Sequence, residues 1–377
     1  MKKSGFCIDA TTYGWSRVLI IAEIGTGHGG DEVKAAELIA AAIESGADCV
    51  KFQHVYADEI IHPATGLVPL PGGPTPLYDT FKALETSPDF MSRLKERVES
   101  MGALFLCTPF GLRSARELRD IGVHAMKIAS PELNHAQLME EIATYGLPTI
   151  LSSGVSRLSD IENALEPFSQ TGTSTALLHC VTAYPAPETD YNLRVLEALS
   201  TLFGVPVGIS DHSADPLVVP SLAVASGACI IEKHLCLSRQ GDGLDDPIAL
   251  PPRDFERMSA AVRRMSRLVE DIGAAATINA LKNEYGATMT EAVLGDGHKR
   301  LAHSEAANYS RTNRSIHARR SIARGERFSA DNLAILRTEK VLRPGLAPLQ
   351  LPVVIGRRAA RDIPDGEGVE WADLGSF

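Results

Sequence analysis

The sequence predicts a parallel (β/α)8 barrel followed by a small β-rich domain. Three observations predict it. Eight short runs rich in β-branched and aliphatic residues recur between Val18 and His234, at 18–23, 49–53, 103–108, 125–130, 149–153, 176–182, 205–211 and 228–234. Stretches of helical periodicity, such as 31–47 and 89–101, separate most of them, which is the alternation of a closed parallel barrel. Beyond the last run, the tail from Arg311 to Phe377 carries an internal repeat of its own.

In such a barrel the chemistry sits at the C-terminal strand ends, where eight loops converge. Nearly every run here ends in a polar or ionisable side chain, so the candidate site is Glu23, Lys51, Gln53, Lys127, Ser130, Ser152, Thr182, Ser210, His212, Glu232 and His234. The first run ends at Glu23 and leads into Gly25-Thr-Gly-His-Gly-Gly-Asp31, where the glycines permit a tight backbone and Asp31 is placed to cap the next helix. On the second run Lys51 and Gln53 are two apart and share a face. A lysine inside a barrel is costly to bury unless an anion or a carboxylate answers it. Lys127, on the fourth run, is followed by Ser130 and Glu132. Two lysines with Ser130, Ser152 and Ser210 on neighbouring strand ends suit a phosphorylated or carboxylated small molecule, although each lysine paired with an acid such as Glu23 is the plainer alternative. His212 and His234 close the seventh and eighth runs, which are neighbours in a closed barrel. Two imidazoles there can hold one divalent ion and leave positions open for water and substrate. His179 lies within the sixth run and reads as a core histidine.

Composition agrees with a folded enzyme: 377 residues, 44% hydrophobic and 22% charged, enough for a barrel of about 250 residues and a second small domain. The N-terminus is charged but lacks a signal-peptide core, and no run of about 18 apolar residues occurs, so a cytoplasmic protein without membrane partners is expected. Six cysteines without C-x-x-C spacing, mostly in or beside the runs, are expected as reduced thiols rather than disulfides or a zinc site.

The net charge of −10 is uneven: residues 311–377 hold 12 Lys+Arg against 8 Asp+Glu, net +4, which leaves −14 for residues 1–310. Spread across the whole tail with few aromatics, +4 is too dilute for nucleic-acid binding. It suits instead a basic module docked on an acidic barrel, in the same chain or a partner's. Within the tail, Ile322-Ala-Arg-Gly-Glu-Arg-Phe328 followed by Asn332-Leu333 matches Ile363-Pro-Asp-Gly-Glu-Gly-Val369 followed by Asp373-Leu374. Two such copies predict a compact pseudo-symmetric domain. The divisions expected are a barrel over 1–275, a linker over 276–310, part helix and part loop, and the β-rich domain over 311–377.

Taken in order, Ile21-Ala-Glu-Ile-Gly25, His28-Gly-Gly-Asp31, Gly46-Ala-Asp-Cys-Val-Lys-Phe-Gln53, Thr108-Pro-Phe110, Lys127-Ile-Ala-Ser-Pro-Glu132, His179-Cys180 with Tyr184-Pro-Ala-Pro187, Gly208-Ile-Ser-Asp-His212 and Ile231-Glu-Lys-His234 resemble the sialic acid synthase family. The tail, with Asn313-Arg314-Ser315 at its start, is similar to that family's antifreeze-like (SAF) domain. The resemblance covers nearly the whole chain. It implies condensation of phosphoenolpyruvate with an N-acylmannosamine-type sugar to a nine-carbon 2-keto acid, with release of phosphate. Carried over residue by residue, Lys51, Lys127, Ser130, Ser152, Thr182 and Ser210 become the phosphoenolpyruvate shell. His212 and His234 become ligands of manganese or magnesium, and Gln53, Glu132, Tyr184 and Asp245 become sugar contacts. The resemblance also implies a domain-swapped homodimer, in which Arg314 reaches from one subunit to the sugar's N-acyl group on the other. Glu23 is the candidate for handling the water or sugar-hydroxyl proton, with Glu232 sharing that work or bracing its strand.

The pattern departs from the family at Gly27 and Gly29, where Asn is common, at Asp246, where His is frequent, and at Thr182, where Asn or Ser is usual. N-acetylneuraminate is the first product expected. Legionaminic or pseudaminic acid, from a 6-deoxy diacetamido acceptor, is the alternative, since two lost amides suit a less hydroxylated sugar. Two other classes compete: a Schiff-base aldolase using Lys51 or Lys127, and an inactive carbohydrate-binding module.

Overall fold

The computed structural model describes residues 5–70, 73–339 and 341–375. A short antiparallel hairpin, β1 (Phe6–Ile8) and β2 (Thr11–Tyr13), precedes the barrel. The barrel begins with β3 (Leu19–Gly25) and β4 (Cys49–His54). An excursion then forms the hairpin β5 (Leu67–Leu70) and β6 (Gly73–Pro76), which sequence periodicity does not signal. The barrel resumes with β7 (Leu104–Pro109), β8 (Met126–Ile128), β9 (Thr149–Ser152), β10 (Thr175–Cys180), β11 (Val207–Asp211) and β12 (Ile230–His234). All barrel neighbours are parallel, and β12 closes on β3 with Ile230 opposite Leu19 and His234 opposite Glu23. The eight-stranded barrel is therefore borne out.

Strand alternation explains where the chemistry collects. At the N-terminal end, inward positions are apolar: Leu19, Ile21, Cys49, Leu106, Ala125, Ile150, Ala176, Leu178 and Ile230 form one buried cluster, plugged from below by Phe6, Ile8 and Tyr13 of the first hairpin. Two residues further along, the same faces become polar. Ile21 gives way to Glu23, Cys49 to Lys51 and Gln53, Ala125 to Lys127, Ile150 to Ser152, and Ile230 to Glu232 and His234. The opposite strand faces pack against the helices in a larger apolar cluster.

The helices fall where periodicity places them. Asp31 caps Glu32–Glu44, accepting from the Val33 and Lys34 amides at 2.7 and 3.2 Å. Ser87 caps Pro88–Ser100, and the last barrel helix is Pro252–Ile272. Helices Ala274–Tyr285 and Ala287–Leu294 follow the barrel, and then an irregular segment runs to β13 (Arg314–Ala318), which pairs with β14 (Leu333–Arg337).

The tail's repeat is realised as a pseudo-two-fold. The Gly325 amide donates to Ala359 O and the Ala359 amide to Glu326 O, both at 2.8 Å. In the matching copy, the Gly366 amide donates to Ala318 O at 3.0 Å and the Ala318 amide to Glu367 O at 2.9 Å. Ile322 and Ile363 pair on each other across the axis, and with Phe328 and Val369 they form the domain's own core. Each copy supplies a face that only the other can bury. Six free cysteines and no disulfide occur among the described residues; all but Cys7 are buried. No helix among the described residues is long and apolar enough to cross a membrane.

Candidate active site at the barrel mouth

Lys51 and Lys127 both enter the barrel interior and share Glu232. Lys51 Nζ lies 2.6 Å from Glu23 Oε2 and 3.6 Å from Glu232 Oε2, and donates to Thr108 Oγ1 at 3.3 Å. Lys127 Nζ lies 3.3 Å from Glu232 Oε1. Glu232 also accepts from Ser210 Oγ at 2.9 Å, and Gln53 donates to Glu23 at 2.7 Å. The plainer sequence reading of the lysines is the one seen here: each has a carboxylate partner, and two ammonium groups and two carboxylates make one buried network.

Burial disfavours charge on both lysines, but they diverge. Glu23 and Glu232 outweigh burial at Lys51 and raise its pKa, whereas at Lys127 burial, with Lys51 nearby, prevails and lowers it. Burial would raise the Glu232 carboxyl, yet Lys127 and Lys51 bring it down to about 2. The Ser152 hydroxyl, in the same interior, is buried without a partner. Buried polar groups are ordinarily satisfied, so this hydroxyl retains a donor that a ligand in the barrel mouth could use.

Ser130 and Thr182 frame Gly154. Ser130 Oγ accepts from the Gly154 amide at 3.0 Å, and a Cβ at residue 154 would overlap Thr182 Oγ1 and come within 2.9 Å of Ser130 Oγ. Any side chain at 154 would have to push one or both hydroxyls aside.

His212 and His234 lie side by side, ring centroids 5.6 Å apart, with Tyr184 stacked on His212 at 4.4 Å. His212 Nδ1 is 2.9 Å from Val181 O, which requires the proton on Nδ1 and leaves Nε2 facing the mouth, 3.5 Å from Tyr184 Oη. Burial opposes charge on His212, but the Cys180 sulfur, 3.8 Å from Nδ1, and the Val181 carbonyl raise it to about 9, whereas burial lowers His234. Asp245 stands 3.7 Å from His234 Nδ1. Among the described residues no group of three or more His, Cys, Asp or Glu side chains is arranged to hold a metal. Two neighbouring imidazoles, one with its tautomer fixed from behind, nonetheless fit an ion that keeps open positions; loading would displace any proton on Nε2.

Glu132 and Arg314 meet each other rather than the lysine–histidine cluster. Glu132, fully buried, is bound by Arg314 and Arg337 of the terminal domain. Arg314 also donates to the carbonyls of Glu59, Ile60, Phe110 and Ile335, so protein acceptors fill its guanidinium, and the contact lies within one chain. An arginine reaching across subunits to a sugar is therefore not what a single chain displays. His28 is packed between Phe52 and Phe90, and burial pushes it down to about 4. His179 donates through Nε2 to Tyr191 O, since a carbonyl only accepts, and burial pushes its pKa down to about 3.

Sequence reasoning missed Thr108, Gly154, Arg337 and the connector carboxylate Glu305, which binds the main chain beside Thr182. Thr108 shares its face with Lys51 on an adjacent strand, a signal that was available. The others come together only through tertiary packing.

Residues 38–273 match the NeuB family, and residues 313–375 match the SAF domain. The chain belongs to the NeuB family. It is 33% identical over 364 residues to the N,N'-diacetyllegionaminic acid synthase of Legionella pneumophila, covering 94% of each chain. It is 30% identical over 366 residues to a pseudaminic acid synthase of Campylobacter jejuni, covering 95% of this chain and 97% of that one. Among solved structures it superposes on the spore coat polysaccharide biosynthesis protein SpsE of Bacillus subtilis with a TM-score of 0.81 and 32% identity, over 99% of this chain and 100% of that one.

Proposed function

We propose that this NeuB-family protein is a nonulosonic acid synthase, condensing phosphoenolpyruvate with an N-acylated amino sugar to a nine-carbon 2-keto acid and phosphate. One observation carries the reading: two buried lysines sharing Glu232, with an orphan serine hydroxyl, stand beside two imidazoles on adjacent strands.

Lys51 and Lys127 neutralise the phosphate and carboxylate of phosphoenolpyruvate, and the hydroxyls of Ser130, Ser152, Thr182 and Ser210 donate to their oxygens. In this reading Gln53, Tyr184 and Asp245 serve the acceptor sugar, while Glu132 and Arg314, bound to each other within one chain, join the barrel to the terminal domain. When C3 bonds to the sugar aldehyde, the aldehyde C=O becomes an alkoxide and C2 becomes electron-poor. Water adds at C2, and the proton it gives up goes by way of the base to the alkoxide, which ends as a hydroxyl. The C–O bond to phosphate then breaks, and the remaining C2 hydroxyl passes its proton to the departing phosphate as the ketone forms. Glu23, fixed by Lys51 and Gln53, accepts the proton from water, and Glu232 keeps both lysines oriented. A divalent ion, manganese or magnesium, held by His212 and His234 would supply Lewis-acid polarisation of the aldehyde.

Two of the departures from the family pattern, Gly27 and Asp246, are read as belonging to this acceptor side, whereas Thr182 belongs to the phosphoenolpyruvate shell. A Cβ at residue 27 would lie 3.9 Å from Asp246 Oδ1, so Gly27 and Asp246 are neighbours, next to Asp245. With the full-length similarity to a diacetyllegionaminic acid synthase, this favours a 2,4-diacetamido-2,4,6-trideoxy acceptor over N-acetylmannosamine, and hence a legionaminic-type product over N-acetylneuraminate. We read the chain as a cytoplasmic homodimer divided at about residues 275 and 310; with terminal domains exchanged, the Arg314–Glu132 contact would join two subunits.

The test is phosphate release from phosphoenolpyruvate with manganese, using no sugar, N-acetylmannosamine or the diacetamido trideoxy sugar. Release that depends on sugar and stops with chelator is expected, fastest with the third. No release with either sugar would reject the synthase, and release unaffected by chelator would reject the metal.

A further inference from the structure

Outside the strand ends, a tightly held carboxylate lies in the irregular segment between barrel and terminal domain. Glu305 is 1% exposed. Its Oε2 accepts from two barrel amides, Val155 N at 2.9 Å and Thr182 N at 2.8 Å, and Oε1 accepts from Ala302 N at 3.2 Å. Those barrel amides belong to the loops after β9 and β10; the first follows directly on Ser152 and the second carries Thr182.

The neighbouring residues of the segment hold the same two loops by their carbonyls. Lys299 donates to Ser153 O at 3.0 Å, Asn313 Nδ2 to Val155 O at 3.2 Å and Asn308 Nδ2 to Thr182 O at 3.3 Å. Val155 has φ of 42°, a left-handed backbone that β-branched residues rarely adopt and that persists only where the surroundings enforce it. Here both its amide and its carbonyl are bound by the segment. The adjacent Gly154 amide is the one that meets Ser130 Oγ.

We propose that Glu305 is a positioning residue: by joining the Val155 and Thr182 amides through one carboxylate oxygen, it sets the Ser130–Gly154–Thr182 edge of the phosphate shell. The segment between the domains is thus a structural part of the anion site rather than a tether. The inference rests on the synthase reading for its consequence in catalysis and on geometry alone for the clamp.

The experiment compares the full chain with Glu305→Ala, Glu305→Gln and the double replacement Glu305→Ala with Val155→Gly. Glu305→Ala should speed hydrogen exchange of the Val155 and Thr182 amides and raise KM for phosphoenolpyruvate about 10-fold or more, leaving KM for the sugar within about 2-fold, as expected for lost charge-assisted bonds. Glu305→Gln, whose amide oxygen can still accept from both, should be milder. Glycine at 155 tolerates the left-handed backbone unaided, so the double replacement should recover part of the lost phosphoenolpyruvate affinity. Unchanged protection of both amides in Glu305→Ala, or equal loss of affinity for both substrates without recovery in the double replacement, would overturn the proposal. If the unaltered protein releases no phosphate, the synthase reading fails, and the clamp is decided by the exchange rates alone.

Discussion

Two buried lysines on opposite faces of the same barrel wall behave differently, and the difference separates structure from function. Lys233 points outward from β12 and is saturated: its Nζ lies 2.6 Å from Asp211 Oδ2 and donates to Ser213 O at 2.6 Å and Ser213 Oγ at 3.1 Å. Lys127 points inward and, among the described residues, meets only Glu232 and its neighbour's carbonyl, Ile128 O, both at 3.3 Å. An ammonium has three donors. Lys233 uses its donors on short contacts within the protein, whereas Lys127 makes two long ones. Sequence alternation alone puts both in strands; the state of their donors shows which one has hydrogen-bonding capacity to spare.

The largest expected effect tests the inward side as a whole. Chelation of divalent ions, or His212→Ala with His234→Ala, should abolish sugar-dependent phosphate release. Replacing Lys127 by Ala should cut kcat/KM by about 10²–10³, the range for a lost preorganised electrostatic contact, and should also cost stability, since Lys51 alone then faces the buried Glu23 and Glu232 carboxylates. Lys233→Met should affect stability alone: about 3–5 kcal/mol lost, because Asp211 is left buried and uncompensated, with KM for phosphoenolpyruvate nearly unchanged where the protein is folded. Steady-state phosphate release and chemical denaturation measure the two sides.

A smaller effect sharpens the boundary between the two kinds of site. Gly154→Ala forces a methyl between Thr182 and Ser130, and overpacking of this kind costs about 1–3 kcal/mol. It should appear as weaker phosphoenolpyruvate binding in titration calorimetry, with sugar binding retained.

Smallest is the pH response of the saturated cluster at the domain contact. Burial would raise Glu132, but Arg314 and Arg337 outweigh it and hold its carboxyl below the ordinary range. A depressed folded-state pKa means this contribution is fully present above the unfolded value of about 4.3 and is lost only as pH falls through the depressed one. The terminal domain should therefore stay docked through mild acid, and small-angle scattering should show no expansion above about pH 4.3.

Much of this was legible in the residues because strands carry a period of two and end where they turn polar. Glu23, Lys51, Ser152, Ser210, Glu232 and both histidines follow from that rule, and Asp31 was readable as a cap because its spacing to the next helix is local. The alignment of Ile322–Phe328 with Ile363–Val369 predicted a symmetric domain, since matching segments bury matching faces. The β5–β6 hairpin escaped because Leu67–Leu70 and Gly73–Pro76 contain three prolines and show no alternation. Glu305 escaped because nothing local distinguishes a glutamate in an irregular segment; its role exists only where the chain returns to the loops after β9 and β10. Arg314 was found, but its partners at Glu59, Ile60 and Phe110 are main-chain carbonyls, which no side-chain pattern announces.

The most direct test of the unsaturated site is equilibrium titration of phosphoenolpyruvate, with manganese present, into the unaltered protein, Lys127→Ala and Lys233→Met. Binding by the first and third, and binding weaker by about 100-fold or more in Lys127→Ala, is the expected result. Equal affinity in Lys127→Ala and the unaltered protein, or loss confined to folded Lys233→Met, would contradict it.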